Sequence, residues 1–166
     1  MMTVFEKIKN ILEKKKKWYE VFYHKPVRTS KEAASVRSGY GLHQGAKALI
    51  LKIYPKNTPK SSKSVHDFFV MVVLAGDAKL DKGLLKRSLN IKNFRFATHK
   101  EVSNITGGVL PGGIPPFGNL FGLEVYLDSS LLDNEKIVFN AGDRGISIAM
   151  NLADYIELIK PRILGK

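Results

Sequence analysis

The stretch Asp67–Ala75 (DFFVMVVLA) constrains this chain more than any other. After its first residue it is apolar at every position, so it lacks the alternation of a strand with one wet face. Its β-branched and aromatic residues favour a strand over a helix, and it is far too short to span a bilayer, which takes about 20 residues. A strand that is apolar on both faces belongs in the middle of a sheet covered on both sides. The chain must therefore supply further strands beside it and helices to cover it.

Both are legible. Tyr19–Tyr23 (YEVFY), Ala46–Tyr54 (AKALILKIY), Asn93–Ala97, Leu123–Leu127, Lys136–Asn140 and Ile146–Met150 read as strands. The N-terminal segment places Val4, Phe5, Ile8, Ile11 and Leu12 at helical spacing, followed by Lys14–Lys17. Thr29 stands three residues before Glu32, and Thr98 three before Glu101, and each pair has the form of a capping box opening a helix. Asp81–Asn90 turns Leu84, Leu85 and Leu89 inward and Lys82, Lys86 and Arg87 outward. Leu152–Ile159 forms a last helix, stopped by Pro161. The order predicts a mixed α/β or α+β domain built around one sheet. Residues 55–66 (PKNTPKSSKSVH) predict an exposed loop between two strands, too short for a domain linker.

At 166 residues the chain is one domain, and 44% apolar residues exclude a disordered polypeptide. It has no cysteine, which removes disulfides, thiolate zinc sites and a cysteine nucleophile. The formal charge of +12 attracts polyanions: nucleic acid, an anionic membrane or phosphate-rich ligands. No secretory h-region with a cleavage site stands in the first 20 residues. The basic N-terminal helix either lies on a membrane surface or packs on the domain with its lysines in water.

His24, His43, His66 and His99 lack metal-ligand spacing, so no metal is expected; His24, at a strand end, is a pocket candidate. There is no G-x-S-x-G elbow and no P-loop. Lys47, within GAKALIL, either points to solvent at a sheet edge or opens into a cleft as a fixed cation. The stretch 106–122 (TGGVLPGGIPPFGNLFG) contains six glycines and three prolines. Pro111, Pro115 and Pro116 lock φ, Gly112 and Gly113 open other conformations, and Phe117 and Phe121 can peg the loop to a core. That describes a stiff wall offering backbone N–H groups to an oxygen, or a tight connector with no ligand. In Asn140–Gly145 (NAGDRG), Gly142 and Gly145 allow close approach of a ligand or another chain segment, or simply form a hairpin.

The segments HKPVRTSKEAA, GAKALIL, FFVMVVLAGDAKLD, THKEVSNITGG, PGGIPPFG, VYLDSSL and VFNAGDRGISIAM, in this order, resemble the YbaK/prolyl-tRNA synthetase-associated editing domain family. The resemblance runs from about Tyr19 to about Ile159. It implies a single α/β domain with a mixed, barrel-like central sheet surrounded by helices, here residues 18–166; the basic helix at 1–17, read from its own pattern, is expected to pack on that domain. It implies a cytoplasmic enzyme that acts in trans, hydrolysing the ester between a wrong amino acid and its tRNA without cofactor or metal. Lys47 resembles the family's essential lysine, and Gly112–Pro116 its G-x-x-x-P loop, with Gly112 and Gly113 holding the reacting carbonyl or ribose. His24 and Thr29 fall where the family lines its pocket, and Gly142, in the GDRG turn, and Ser147, on the short strand just beyond it, are further substrate-binding candidates. One position departs: cysteinyl-tRNA deacylases carry an acidic residue where this chain has Ser147. Alanine, serine, threonine and cysteine all remain open as cargo, on tRNA-Pro or another tRNA. The partners implied are aminoacyl-tRNA, through Lys14–Lys17, the Lys56–Lys63 loop, Lys82, Lys86 and Arg87, and an aminoacyl-tRNA synthetase. A non-catalytic tRNA- or synthetase-binding module on the same fold is the alternative.

Overall fold

The constraining strand is central, as its composition requires. In the computed structural model, which describes residues 1–27, 29–56 and 68–165, β3 (Phe69–Ala75) is buried at every position. It pairs antiparallel with β2 (Ala46–Pro55) and parallel with β5 (Glu124–Asp128). β4 (Ile91–Phe96) continues the sheet beyond β2, and β8 (Arg162–Leu164) beyond β5. Successive β3 side chains enter different cores. Phe69, Met71, Val73 and Ala75 join the larger one, while Val70, Val72 and Leu74 join a smaller one with Leu85, Tyr126 and Leu164. This is why the strand tolerates no polar residue on either face.

The expectation of one barrel-like sheet is corrected. A second, three-stranded antiparallel sheet has the order β1 (Tyr19–Tyr23), β7 (Ile146–Asn151), β6 (Lys136–Asn140). The two sheets meet at a bridge between Gly45 and Val138. β2 already has a partner on each side, so β1 pairs with β7 instead, and no closed barrel forms. The larger core joins the two sheets, with Phe139, Ile148 and Met150 of one in the same cluster as Met71 and Val73 of the other. β8 is a further difference. Three residues after a proline carry too little pattern to mark a strand, and parallel pairing with Tyr126–Asp128 creates it.

The helices start where their caps stand. α1 (Val4–Lys14) has a full capping box from Thr3 and Glu6, buries Ile8 and Leu12 completely, and leaves Lys14, Lys15 and Lys16 exposed. α2 (Ser30–Val36) is capped by Thr29, whose hydroxyl accepts from the Glu32 N–H at 3.1 Å. α3 (Lys82–Leu89) is capped by Asp81 and ends at left-handed Asn90. α4 (His99–Thr106) has the Thr98–Glu101 box and ends at left-handed Gly107. α5 (Leu152–Ile159) follows β7 directly. Arg28, residues 57–67 and Lys166 lie outside the described residues, and with them most of the basic Lys56–Lys63 loop, His66, and Asp67 at the head of the expected strand.

Candidate active site

The loop at 106–122 is held from several directions. The Gly113 N–H closes a turn on the Leu110 carbonyl at 2.9 Å, and the Gly113 carbonyl accepts from the Gly142 N–H at 2.8 Å. Arg144 Nε donates to the Pro111 carbonyl at 2.6 Å, and the Tyr155 hydroxyl to the Pro116 carbonyl at 2.6 Å. Phe117 is fully buried against Phe139 and Tyr155, and Phe121 is buried too. Buried aromatic pegs and paired backbone groups make this segment a wall.

That wall borders a cleft of about 240 Å³ lined by α2, the start of β2, the loop and the end of β6. Lys47 and Gly112 both line it, as does Thr29. Lys47 is half-buried and donates from Nζ to the Ala78 carbonyl at 2.9 Å, which fixes the ammonium while leaving further N–H groups for a ligand. Gly112 sits at φ +88°, a left-handed conformation that glycine adopts without strain. Its N–H makes no hydrogen bond among the described residues. The remaining lining includes Gly45, Ala46, Ala48 and Ala33, all small.

Gly113, Pro116, Gly142, His24 and Ser147 do not line the cleft. Gly113 and Pro116 are buried, and both the N–H and the carbonyl of Gly113 are engaged within the protein. Gly142, at φ +86°, lies under α1: a Cβ built there would stand 2.6 Å from Val4 Cβ. Ser147 is fully buried and stands behind the cleft instead of in it. Its Oγ lies 2.8 Å from His24 Nε2, accepts from Arg37 Nε at 3.0 Å, and is 3.1 Å from Asn140 Oδ1. The Lys25 carbonyl accepts from His24 Nδ1 at 2.8 Å, which fixes the ring orientation.

Arg37 and Asn140 do line the cleft, and sequence reasoning passed over both. Arg37 is only 6% exposed. Its Nη2 donates to Asn140 Oδ1 at 3.0 Å, and Asn140 Nδ2 in turn donates to the Gly112 carbonyl. One chain of hydrogen bonds thus runs from His24 through Ser147, Arg37 and Asn140 to the Gly112 wall. Burial lowers the Arg37 pKa to about 10, and the group remains a cation at neutral pH. The available signal was weak: an arginine among the small residues of AASVRSG, just past a short helix. Among the described residues no cluster of histidine and carboxylate groups could hold a metal.

This geometry has relatives. A multifunctional Ser/Thr-tRNA deacylase of Escherichia coli, ProXp-y, is 29% identical over 148 residues, covering 89% of this chain and 83% of that one. The crystal structure of a candidate trans-editing enzyme for prolyl-tRNA synthetase superposes with a TM-score of 0.76 at 23% identity, over 100% of this chain and 99% of that one. A hypothetical protein of known structure gives a TM-score of 0.78 at 21% identity, over 97% and 100%. These two structural likenesses speak for the fold. Residues 24–158 match the family of the aminoacyl-tRNA editing domain, and with most of its length inside that match this chain is a member of that family.

Proposed function

We propose that this protein is an aminoacyl-tRNA deacylase acting in trans, which hydrolyses the ester between a small amino acid and the 3′ end of a mischarged tRNA. The observation that carries the reading is the cleft that brings Lys47 together with Gly112, whose N–H has no hydrogen-bond partner among the described residues. At about 240 Å³ it is smaller than the roughly 300–1,000 Å³ of drug-sized pockets, and its alanines and glycines suit a small side chain. Serine and threonine are the first cargoes to test, in line with the activity of the E. coli relative.

Among the described residues the lining holds no carboxylate and no imidazole, so the cleft offers positioning and electrostatics instead of a general base. Water adds to the ester carbonyl, the ribose oxygen leaves with a proton relayed by the neighbouring ribose 2′-hydroxyl, and free amino acid and tRNA result. The Gly112 N–H faces the carbonyl oxygen as negative charge develops there, and the tethered Lys47 ammonium fixes the substrate. Ser147, His24 and Gly142 support this wall from behind.

Residues 18–166 form the editing unit in this reading, and the helix at 1–17 buttresses it. Exposed Lys14, Lys15, Lys16, Lys82 and Arg87, with half-exposed Lys86, are the phosphate contacts of the tRNA body. Lys17 is not among them, because Glu157 holds its ammonium at 2.6 Å. The substrate places the reaction in the cytoplasm. A synthetase that presents the charged tRNA is the further partner, to be read by co-migration in the presence of tRNA. No helix among the described residues is long and apolar enough to cross a membrane.

The test is a panel of mischarged tRNAs scored for deacylation. Turnover of seryl- or threonyl-tRNA is expected, and absence of turnover on every charged tRNA would overturn the reading.

A further inference from the structure

We propose that Arg37, together with Lys47, forms a receptor for one oxyanion inside the cleft, and that Arg37 touches the substrate there. Which oxyanion it takes rests on the deacylase reading. The two sources are the phosphate of the terminal nucleotide and the tetrahedral oxyanion formed when water adds to the ester.

An arginine only 6% exposed over the whole residue needs compensation for its charge, and an ion pair usually supplies it. Arg37 has none among the described residues. Its protein partners are the neutral Ser147 hydroxyl and the neutral Asn140 carbonyl oxygen. Lys47 likewise meets a neutral carbonyl, that of Ala78. Among the described residues no aspartate or glutamate lines the cleft. Arg37 and Lys47 therefore face one small cavity with no anion among the described residues to balance them.

The arginine is also preorganised. Ser147 and Asn140 fix the guanidinium along Nε and Nη2, and His24 and the Gly112 wall fix those two in turn. Nη1 is left over. It makes no hydrogen bond among the described residues and stands beside Gly45, where an added Cβ would meet it at 3.5 Å. Every fully buried side-chain nitrogen or oxygen among the described residues has a partner, so Nη1 keeps access to the cleft that Gly45 and Arg37 line. A fixed guanidinium edge with free N–H groups suits two oxygens of one anion. The same charges turn the substrate's α-ammonium group away from this wall.

The test uses the full-length protein and its Arg37→Lys and Arg37→Met variants, with folding followed by circular dichroism and Tm. Calorimetric titration with adenosine 5′-monophosphate and with adenosine reads the site without any catalysis. Seryl-tRNA and seryl-adenosine, the second lacking the 5′-phosphate, read it in turnover. If the terminal phosphate is the ligand, both variants bind adenosine monophosphate at least about tenfold more weakly and adenosine unchanged. Their loss on seryl-tRNA then lies in KM and vanishes on seryl-adenosine. If the tetrahedral oxyanion is the ligand, nucleotide affinity is unchanged and kcat falls by about the same factor on both substrates. Either pattern supports the receptor. Folded variants that match wild type in nucleotide affinity and in kcat and KM on both substrates would overturn it and leave Arg37 a structural strut. Wild type that binds adenosine monophosphate through Arg37 yet deacylates no tRNA would sink the deacylase reading while leaving the receptor in place.

Discussion

The ion-paired cations of the outer surface and the two cations of the cleft have opposite company. On the surface, Arg95 forks onto Glu101 at 2.7 and 2.9 Å, Lys17 holds Glu157, Arg162 holds Glu124, and His43 sits between Asp77 and Asp133. In the cleft, Arg37 and Lys47 meet only uncharged oxygens among the described residues. Solvent screens an exposed charge, so surface pairing adds little stability and leaving a charge unpaired there would cost little. Burial removes that screening, and an unpaired buried cation is a standing cost. Exposed lysines such as Lys14–Lys16 also lack an acidic partner among the described residues, at little cost. Arg37 lacks one where the cost is high, and that is the ground for reading the cleft as a ligand site and the surface pairs as part of the fold.

The largest effect that tests this contrast is on rate. Lys47→Ala is expected to lower deacylation by about 10²–10³-fold, the range for loss of one preorganised electrostatic contact, with Tm close to wild type. An unchanged single-turnover rate would remove Lys47 from the mechanism. Gly142→Ala separates the frame of the cleft from its charge. The position has φ +86° and Val4 against it, so a loss of about 1–3 kcal/mol in urea denaturation is expected. Wild-type stability in that variant would show that α1 does not press on the turn.

Smaller effects belong to the surface pairs. Arg95 and the Thr98 N–H lower the Glu101 pKa to about 2, so the contribution of Glu101 is complete above its usual 4.5 and fades as pH falls toward 2. Glu101→Gln should lower Tm slightly at neutral pH, the difference from wild type should shrink below pH 4, and deacylation should be untouched. A Tm gap that persists at pH 2 would contradict the pairing. His43 works in the opposite sense. Asp133 and Asp77 raise its pKa, so its contribution is present below the usual 6.5 and is lost as pH rises through the raised value. His43→Gln should show the smallest change of all, a slight Tm loss near pH 6 that disappears at alkaline pH. An equal loss at both pH values would mean that the ring acts by packing and not by charge.

Lys47 and the Gly/Pro wall were legible because each carries a local signature. A lysine inside an apolar strand is anomalous wherever the strand goes, and clustered prolines with two phenylalanines announce a stiff, anchored loop. Arg37 and Ser147 carried no such mark. Arg37 closes a seven-residue helix, and Ser147 stands in an ordinary short strand. Their hydrogen bond joins residues 110 positions apart, and the one from Arg37 to Asn140 spans 103.

The sequence by itself determined the helices and all the strands but the last, the caps at Thr29 and Thr98, the central place of Phe69–Ala75 and the stiffness of the loop, because each depends on neighbours within a few residues. The tertiary structure alone decided that the strands divide into two sheets, that Arg162–Leu164 becomes a strand, that Ser147 lies behind the cleft and that Arg37 lies in it. Those outcomes depend on which strand edges are already occupied and on which side chains meet across the packed core, and no local pattern encodes either.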